Sequence, residues 1–290
     1  MAECPVCHSS RLNEFTRVKS TYLDRAELYG IAVCLDCGHG HAVGRSDDEF
    51  LRQIYSDNFH DTSQQSASGG HSPIERNAAE RAAWLKAMPR SGRLLDVGAG
   101  KGSFVEAASA AFEAEGIELS ETAAAAARAR NIPVAGGDFL ALPLPEHAFN
   151  VVTFWDVLAS LKDPSAALDR AWRCLDTDGI VVATLPMIDS LAARALRRFW
   201  PLLIPPVNLQ YYSRRSIAVL AARHGFDLIA IDYPAKQVAL SFVLAKAARS
   251  LRLFSLGDAL GKHLPHTPIA INTGDIACVV LRRSERTVES

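Results

Sequence analysis

The segment Leu94-Leu95-Asp96-Val97-Gly98-Ala99-Gly100-Lys101-Gly102-Ser103-Phe104 constrains this chain more than any other. An apolar run ends in a carboxylate, three glycines alternate with other residues, and an apolar, alanine-rich stretch follows. That order predicts a buried strand, a tight turn and the start of a helix. Glycine lets the backbone take left-handed angles and lets a nucleotide-like ligand approach where a side chain would block it.

Two familiar glycine patterns do not fit. In G-x-G-x-x-G the third glycine would stand at Ser103, one position beyond Gly102, and the phosphate-cradling G-x-x-x-x-G-K-[ST] loop is not matched. What stands here is D-x-G-x-G-x-G, which resembles the first motif of the class I S-adenosylmethionine (SAM) methyltransferases. The resemblance implies SAM as cofactor, with the backbone of Gly98, Ala99, Gly100 and Gly102 beside its amino-acid portion and Asp96 at the strand end. Read without the resemblance, the same residues are also compatible with a glycine turn in an α/β protein that binds nothing.

Further acids fall at intervals that suit this reading. Ala114 to Leu119 predicts a second strand ending about twenty residues on, at Glu118, where a carboxylate can accept two ribose hydroxyls. Leu119 follows it, Ser120 reads as an N-cap, and Glu121 to Arg130 as an alanine-rich helix. Asp138-Phe139 follows Gly136-Gly137 after a third short strand. The resemblance implies that Asp138 takes the adenine amino group and that the Phe139 N–H meets a ring nitrogen. The plainer readings are a solvated strand-end charge for Glu118 and an Asx turn for Asp138. Phe149 to Trp155 is a continuous apolar strand suited to the middle of a parallel sheet, and it delivers Trp155 and Asp156 to the same end.

Asp163-Pro164 starts a helix carrying Leu168, Trp172 and Leu175 on one face, and Asp178-Gly179 turns into a fifth strand, Ile180 to Leu185. Phe226 to Asp232 and Asp275 to Leu281 read as the two final strands. The fold expected is α/β: a doubly wound, seven-stranded, mostly parallel sheet of the class I methyltransferase, Rossmann-like kind, whose ligands bind beyond the carboxyl ends of the strands.

Cys4-Pro5-Val6-Cys7 and Cys34-Leu35-Asp36-Cys37-Gly38 form two C-x-x-C knuckles. Four thiolates can build a tetrahedral Zn(II) site, and the gap between the knuckles, longer than the commonest ribbon spacing, can hold a hairpin of Arg11 to Ser20 and Ala26 to Val33. The expectation is a structural zinc ribbon on Cys4, Cys7, Cys34 and Cys37, with His8, His39 and His41 as spectators. A module so short has little core of its own, so metal binding and folding should be coupled. Cys174 and Cys278 read as buried small hydrophobes.

The domain plan is a zinc ribbon over 1–45, a helical linker and cofactor lid over 46–90, and a SAM-binding methyltransferase domain over 91–290 with helical insertions near 187–207 and 236–268. In the linker, Asp47 to Ile54 and Ile74 to Met88 look helical and flank a Ser-, Gln- and Gly-rich stretch. The segment Asn208-Leu209-Gln210-Tyr211-Tyr212-Ser213 resembles the His-Leu-x-x-Phe-Ser element of a large bacterial methyltransferase subgroup, with Asn208 in place of the histidine. After the fourth strand that subgroup often has Leu-Glu-His-Leu; here Leu158-Ala159-Ser160-Leu161 stands instead, without the acid/base pair. Asp156, Tyr211, Tyr212 and His71 are the candidate bases that remain.

The chain has 290 residues, 49% of them apolar, and a formal net charge of −1. That is enough for a sizeable core, and it is not the strongly basic balance expected of a nucleic-acid binder. Met1-Ala2-Glu3-Cys4 shows no charged start followed by an apolar run, and no apolar stretch approaches a bilayer span, so the expected location is the cytoplasm. The resemblance, ribbon included, implies a SAM-dependent methyltransferase whose acceptor is a small molecule, sugar or glycan-related. Two alternatives stay open: an RNA methyltransferase that grips its substrate with the ribbon, and a SAM-binding module without turnover. The arginine-bearing Ser190 to Leu203 and the apolar, basic Lys236 to Leu264 fit an acceptor lid, a peripheral surface for a lipid-linked or anionic acceptor, or a homodimer or packing face.

Overall fold

The structure, a computed structural model, describes residues 3–22, 25–55, 72–241, 244 and 267–284. Its main sheet runs β10-β13-β8-β7-β4-β5-β6. These strands are β4 (Arg93–Val97), β5 (Glu113–Glu118), β6 (Val134–Gly136), β7 (Phe149–Phe154), β8 (Leu175–Pro186), β10 (Phe226–Asp232) and β13 (Ile276–Arg283). β4 through β8 pair in parallel, and only β13 runs against its neighbours β8 and β10. The doubly wound, seven-stranded fold expected from the sequence is the one observed.

Both faces of this sheet are covered, as a parallel sheet requires. Adjacent residues go to opposite cores. Leu95, Val152 and Val181 lie in one cluster with the helices Pro164–Cys174 and Arg214–Arg223; Leu94, Val151 and Val182 lie in the other with the helices Pro73–Lys86 and Ser103–Ala108. The expected caps are in place: Ser120 Oγ accepts from Ala123 N, and Asp163 accepts from Ala166 N.

The front module is a sheet of β1 (Leu12–Tyr22), β2 (Arg25–Cys34), β3 (Gly40–Val43) and β9 (Gln210–Tyr211) in that order. The hairpin of β1 and β2 matches the expectation. β3 and β9, only four and two residues long, carry no sequence signal. The ribbon is therefore completed by a strand from far along the chain, and Cys4, Val6, Cys34 and Cys37 belong to the same buried cluster as Leu95 and Val152 of the main sheet. The expected module with little core of its own shares the core of the main sheet.

The two insertions differ. Near 187–207 a helix, Leu191–Leu196, is capped by Ser190 and runs into a 3₁₀ turn, Arg197–Phe199. Its buried residues, Ala193 with Trp200 and Leu203, pack on Ile31 and Tyr211 of the ribbon sheet, which is the packing-face reading. Of the helical insertion expected near 236–268, the described ends are strands, β11 (Lys236–Ala239) and β12 (Pro268–Ile271), paired antiparallel, and the chain turns helical at Leu240, Ser241 and Leu244. β-branched Val238, Ile269 and Ile271 suit a pleated ribbon better than a helix. Lys246, Arg249, Arg252 and Lys262 lie outside the described residues. Among the described residues no helix is long and apolar enough to cross a membrane.

Candidate cofactor cleft and metal centre

β4 ends at Val97 and the chain turns at once. Gly98, Gly100 and Gly102 have φ of +76°, +56° and +83°, angles that an L side chain rarely adopts. Gly98 also needs to be bare for a second reason: a Cβ there would stand 2.4 Å from Val157 Cγ2. The turn is fastened to the neighbouring strand, with the N–H groups of Gly98 and Ala99 donating to Ile117 O at 2.8 and 3.0 Å.

Glu118, at the end of β5, closes this turn. Its Oε2 accepts from Gly100 N at 2.8 Å and its Oε1 from Ser120 N at 2.8 Å, and the residue is 5% exposed. Two backbone donors thus fix the orientation of this carboxylate at the strand end. Asp96 is buried in the strand alongside and accepts from Thr153 Oγ1 at 2.6 Å. Burial pushes the Asp96 carboxyl up to about 7; the Thr153 hydrogen bond and the Arg81 charge work against the rise, and the Glu118 charge adds to it. A buried acid whose desolvation outweighs the nearby Arg81 charge would be relieved by a cationic ligand, and SAM carries both a sulfonium and an ammonium. Bare backbone, an oriented diol acceptor and an acid awaiting a cation fit that cofactor.

The other predicted contacts are arranged less simply. Asp138 is exposed and accepts from Leu140 N at 2.9 Å, so the Asx turn is present; Gly137 N donates to Glu118 O at 2.8 Å and holds this turn against β5. Phe139 is buried edge-on to Phe154, while Leu119 is exposed. Trp155 is 8% exposed, lies edge-on to Phe104 and carries the Arg81 guanidinium 4.7 Å from its ring centroid. Its indole Nε1 is buried without a hydrogen-bond partner among the described residues, a donor that a bound molecule would satisfy.

Asp156 follows at φ +63°, turned out of the strand. Its Oδ2 accepts from Arg81 Nη2 at 2.8 Å and from Lys236 Nζ at 2.9 Å, and its Oδ1 from Thr184 Oγ1 at 3.1 Å. Burial pushes this carboxyl up, but Lys236 and Arg81 outweigh it and hold the group well below the usual carboxylate range. Sequence reasoning missed both cations. Arg81 comes from the helix Pro73–Lys86 and Lys236 from β11, and the two elements are clasped by Asn77, whose Nδ2 donates to Gln237 O and whose Oδ1 accepts from Gln237 N, each at 2.9 Å. No local signal could join residues some 160 positions apart.

Tyr211 and Tyr212 lie elsewhere. Both are fully buried in the seam between ribbon and main sheet. The Tyr211 hydroxyl donates to Asn208 O at 2.9 Å and the Tyr212 hydroxyl to Leu158 O at 3.2 Å, and burial pushes the Tyr212 phenol up. His71 lies outside the described residues.

The four cysteines come together. Their sulfurs all lie within 4.8 Å of one another, with Cys4–Cys37 at 3.6 Å and Cys7–Cys34 at 3.5 Å. A tetrahedron with Zn–S bonds of about 2.3 Å has edges of about 3.8 Å, so the set fits a tetrathiolate metal, and the separations are those of free cysteines rather than disulfides. The Cys37 hydrogen bond pulls Cys4 down to about 4, against its burial, which favours a thiolate there. His39 is not in this set; its Nε2 meets Gln210 Oε1 at 2.9 Å, and burial pushes the ring down to about 4, so it is neutral. Cys174 and Cys278 are buried apart from the cluster, as expected.

A doubly wound sheet with a glycine turn after its first core strand and an acid at the end of the next is the arrangement in which α/β folds present a ligand crevice beyond their strand ends. The model of a methyltransferase-domain family matches residues 70–231, more than half of the chain, and the protein belongs to that family. No curated protein matches the chain. Solved structures do. Magnesium protoporphyrin IX methyltransferase from Synechocystis PCC 6803 with bound SAH is 15% identical, with a TM-score of 0.55 over 82% of this chain and 100% of that one. A SAM-dependent methyltransferase from Archaeoglobus fulgidus is 16% identical, with a TM-score of 0.51 over 82% of this chain and 100% of its own. A putative methyltransferase in complex with the Haloferax volcanii Trm112 methyltransferase activator is 14% identical, with a TM-score of 0.52 over 73% and 92%. At such identities the likeness shows the class I methyltransferase fold.

Proposed function

We propose that this protein transfers the methyl group of SAM to a polar small molecule, sugar or glycan-related. The observation that carries the reading is the Glu118 carboxylate spanning Gly100 N and Ser120 N beside buried Asp96. Glu118 takes the ribose diol, the bare turn at Gly98 to Gly102 passes the methionine portion, and Asp96 faces its ammonium. Asp138, Phe139, Leu119 and Trp155 complete the cofactor set. The acceptor enters at the strand ends beside Asp156, Arg81 and Lys236, a charged floor that suits a hydroxylated or anionic molecule better than an apolar one.

Bound here, SAM would supply an activated methyl on its sulfonium, which the acceptor atom would take as the C–S bond breaks, leaving a neutral thioether and giving up the acceptor's proton to water. The sulfonium is already activated, so positioning supplies much of the rate. A carboxylate held down by two cations is a weak base, and the Tyr211 and Tyr212 hydroxyls already donate to backbone carbonyls. Of the candidate bases described, only Asp156 stands at the strand ends, where it orients the acceptor. Zn(II) on the four thiolates is structural. Isothermal titration with SAM tests the cofactor: saturable heat is expected, and neither heat nor a thermal shift at millimolar SAM would end the proposal. Methyl release on a panel of hydroxylated acceptors separates an enzyme from a SAM-binding module without turnover.

A further inference from the structure

The segment 157–162 links the end of β7 to the helix Pro164–Cys174. It carries Val157, which packs against the glycine turn, and it follows directly on Asp156. Nearly all its tethers come from one short stretch. Leu209 N and Gln210 N both donate to Ala159 O, at 2.8 and 2.9 Å. Tyr212 Oη donates to Leu158 O. The Gln210 side-chain amide donates to Leu161 O at 3.1 Å and to Lys162 O at 3.2 Å.

The other edge of that stretch belongs to the ribbon. Gln210 and Tyr211 form β9, paired with β3 through Gly40↔Tyr211 and His41↔Gln210. Gln210 donates from its Nε2, so its Oε1 is the acceptor, and the proton of its 2.9 Å bond to His39 sits on His39 Nε2. His39 is fully buried, and its carbonyl accepts from Cys34 N at 2.8 Å. Ser213 Oγ donates to Cys37 O at 2.9 Å. One buried glutamine thus touches the second cysteine knuckle through His39 and the segment 157–162 through two carbonyls. Among the described residues the turn from Gly98 to Gly102 makes no hydrogen bond to the ribbon: Gly98, Ala99 and Gly100 donate to Ile117 and Glu118 of β5, and the helix that follows packs with Leu94, Phe104 and Val105 in a core without ribbon residues, whereas Leu95 and Val97 just before the turn share the ribbon's core.

From this arrangement we infer that Gln210 is a positioning residue through which metal in the ribbon orders the 157–162 segment, while the cofactor turn stands without it. The physical link is a relay of buried hydrogen bonds, each worth about 1 kcal/mol net and more when a partner is left unpaired. Losing the metal releases the Cys34–Cys37 knuckle, then His39, then the amide that holds the two carbonyls. The assignment of 157–162 to the acceptor side rests on the proposed function; the coupling itself does not.

Hydrogen exchange on the full chain tests it, comparing metal-loaded protein, chelator-treated protein and metal-loaded Gln210→Met, which keeps the side-chain volume and removes its polar atoms. Chelation should speed exchange of the amides at 157–162 about tenfold or more, with those at 98–105 within about twofold. Gln210→Met should loosen 157–162 likewise while its metal content stays at the wild-type level. Unchanged protection at 157–162 after verified metal removal would overturn the inference. So would loss of protection at 98–105 along with it, wild-type protection in Gln210→Met, or a ribbon that takes up no metal. Titration with SAM on the same samples keeps the two ideas apart: coupling without SAM binding sinks the functional reading alone, and SAM binding without coupling sinks this one alone.

Discussion

Gly100 N donates to Glu118 Oε2 at 2.8 Å, so the middle of the glycine turn and the end of the next strand are one hydrogen-bonded unit before any ligand arrives. An acceptor oriented in advance costs little to organise on binding.

Replacing Glu118 therefore tests cleft and cofactor together. Glu118→Gln keeps the shape but turns one acceptor oxygen into a donor facing an N–H group. SAM affinity should fall about ten- to hundredfold, the range for losing charge-assisted bonds. Calorimetry reads the affinity, and circular dichroism checks that the fold persists.

Asp96 makes the cleft sensitive to pH. The group ionises near 3.8 in the unfolded chain and near 7 when folded. Between those values the folded state holds the extra proton, so this residue's contribution to stability declines as pH rises from about 4 to about 7. Asp96→Asn should thus melt a few degrees higher than wild type at pH 8 without ligand, with the gap closing towards pH 4. The carboxylate is the form that meets a cation, so wild-type SAM affinity should weaken as pH falls below about 7, and the variant should bind poorly throughout. Thermal melts and titrations across pH check both signs.

Gly98→Ala should be costly. The left-handed backbone costs an alanine about 1–2 kcal/mol, and crowding against Val157 Cγ2 adds about 1–3 kcal/mol. Denaturant unfolding should show the sum, and SAM titration a weakened site.

Cobalt(II) should bind at the four cysteines. Four thiolates at tetrahedral spacing predict one ion per chain, the intense visible bands of a tetrahedral cobalt thiolate, and loss of those bands in Cys34→Ser. An octahedral, weakly coloured cobalt species would reject the assignment.

Much of the fold was legible because its signals are local. The glycines at 98, 100 and 102, the caps at Ser120 and Asp163, and the apolar strand Phe149–Phe154 each announce a conformation through neighbouring residues. Asp96 and Glu118 could be placed because strand ends and motif spacing fix them together. The misjudged parts are short or distant. β3 and β9 are too brief to show a period, and β11 and β12 pair across some 30 intervening residues, which no local pattern announces. Tyr211 and Tyr212 looked available as bases in sequence, but burial in a seam and bonds to backbone carbonyls are properties of the packed chain.

The order of residues alone determined a SAM-type α/β core and a four-thiol ribbon, since both are written in contiguous motifs whose backbone demands few residues can meet. Only tertiary packing decided that Arg81 and Lys236 converge on Asp156, and that Gln210 joins ribbon to catalytic sheet. Those contacts link positions about 75 to 171 apart in sequence, and nothing in a chain's local chemistry records which distant groups folding will bring within hydrogen-bond reach.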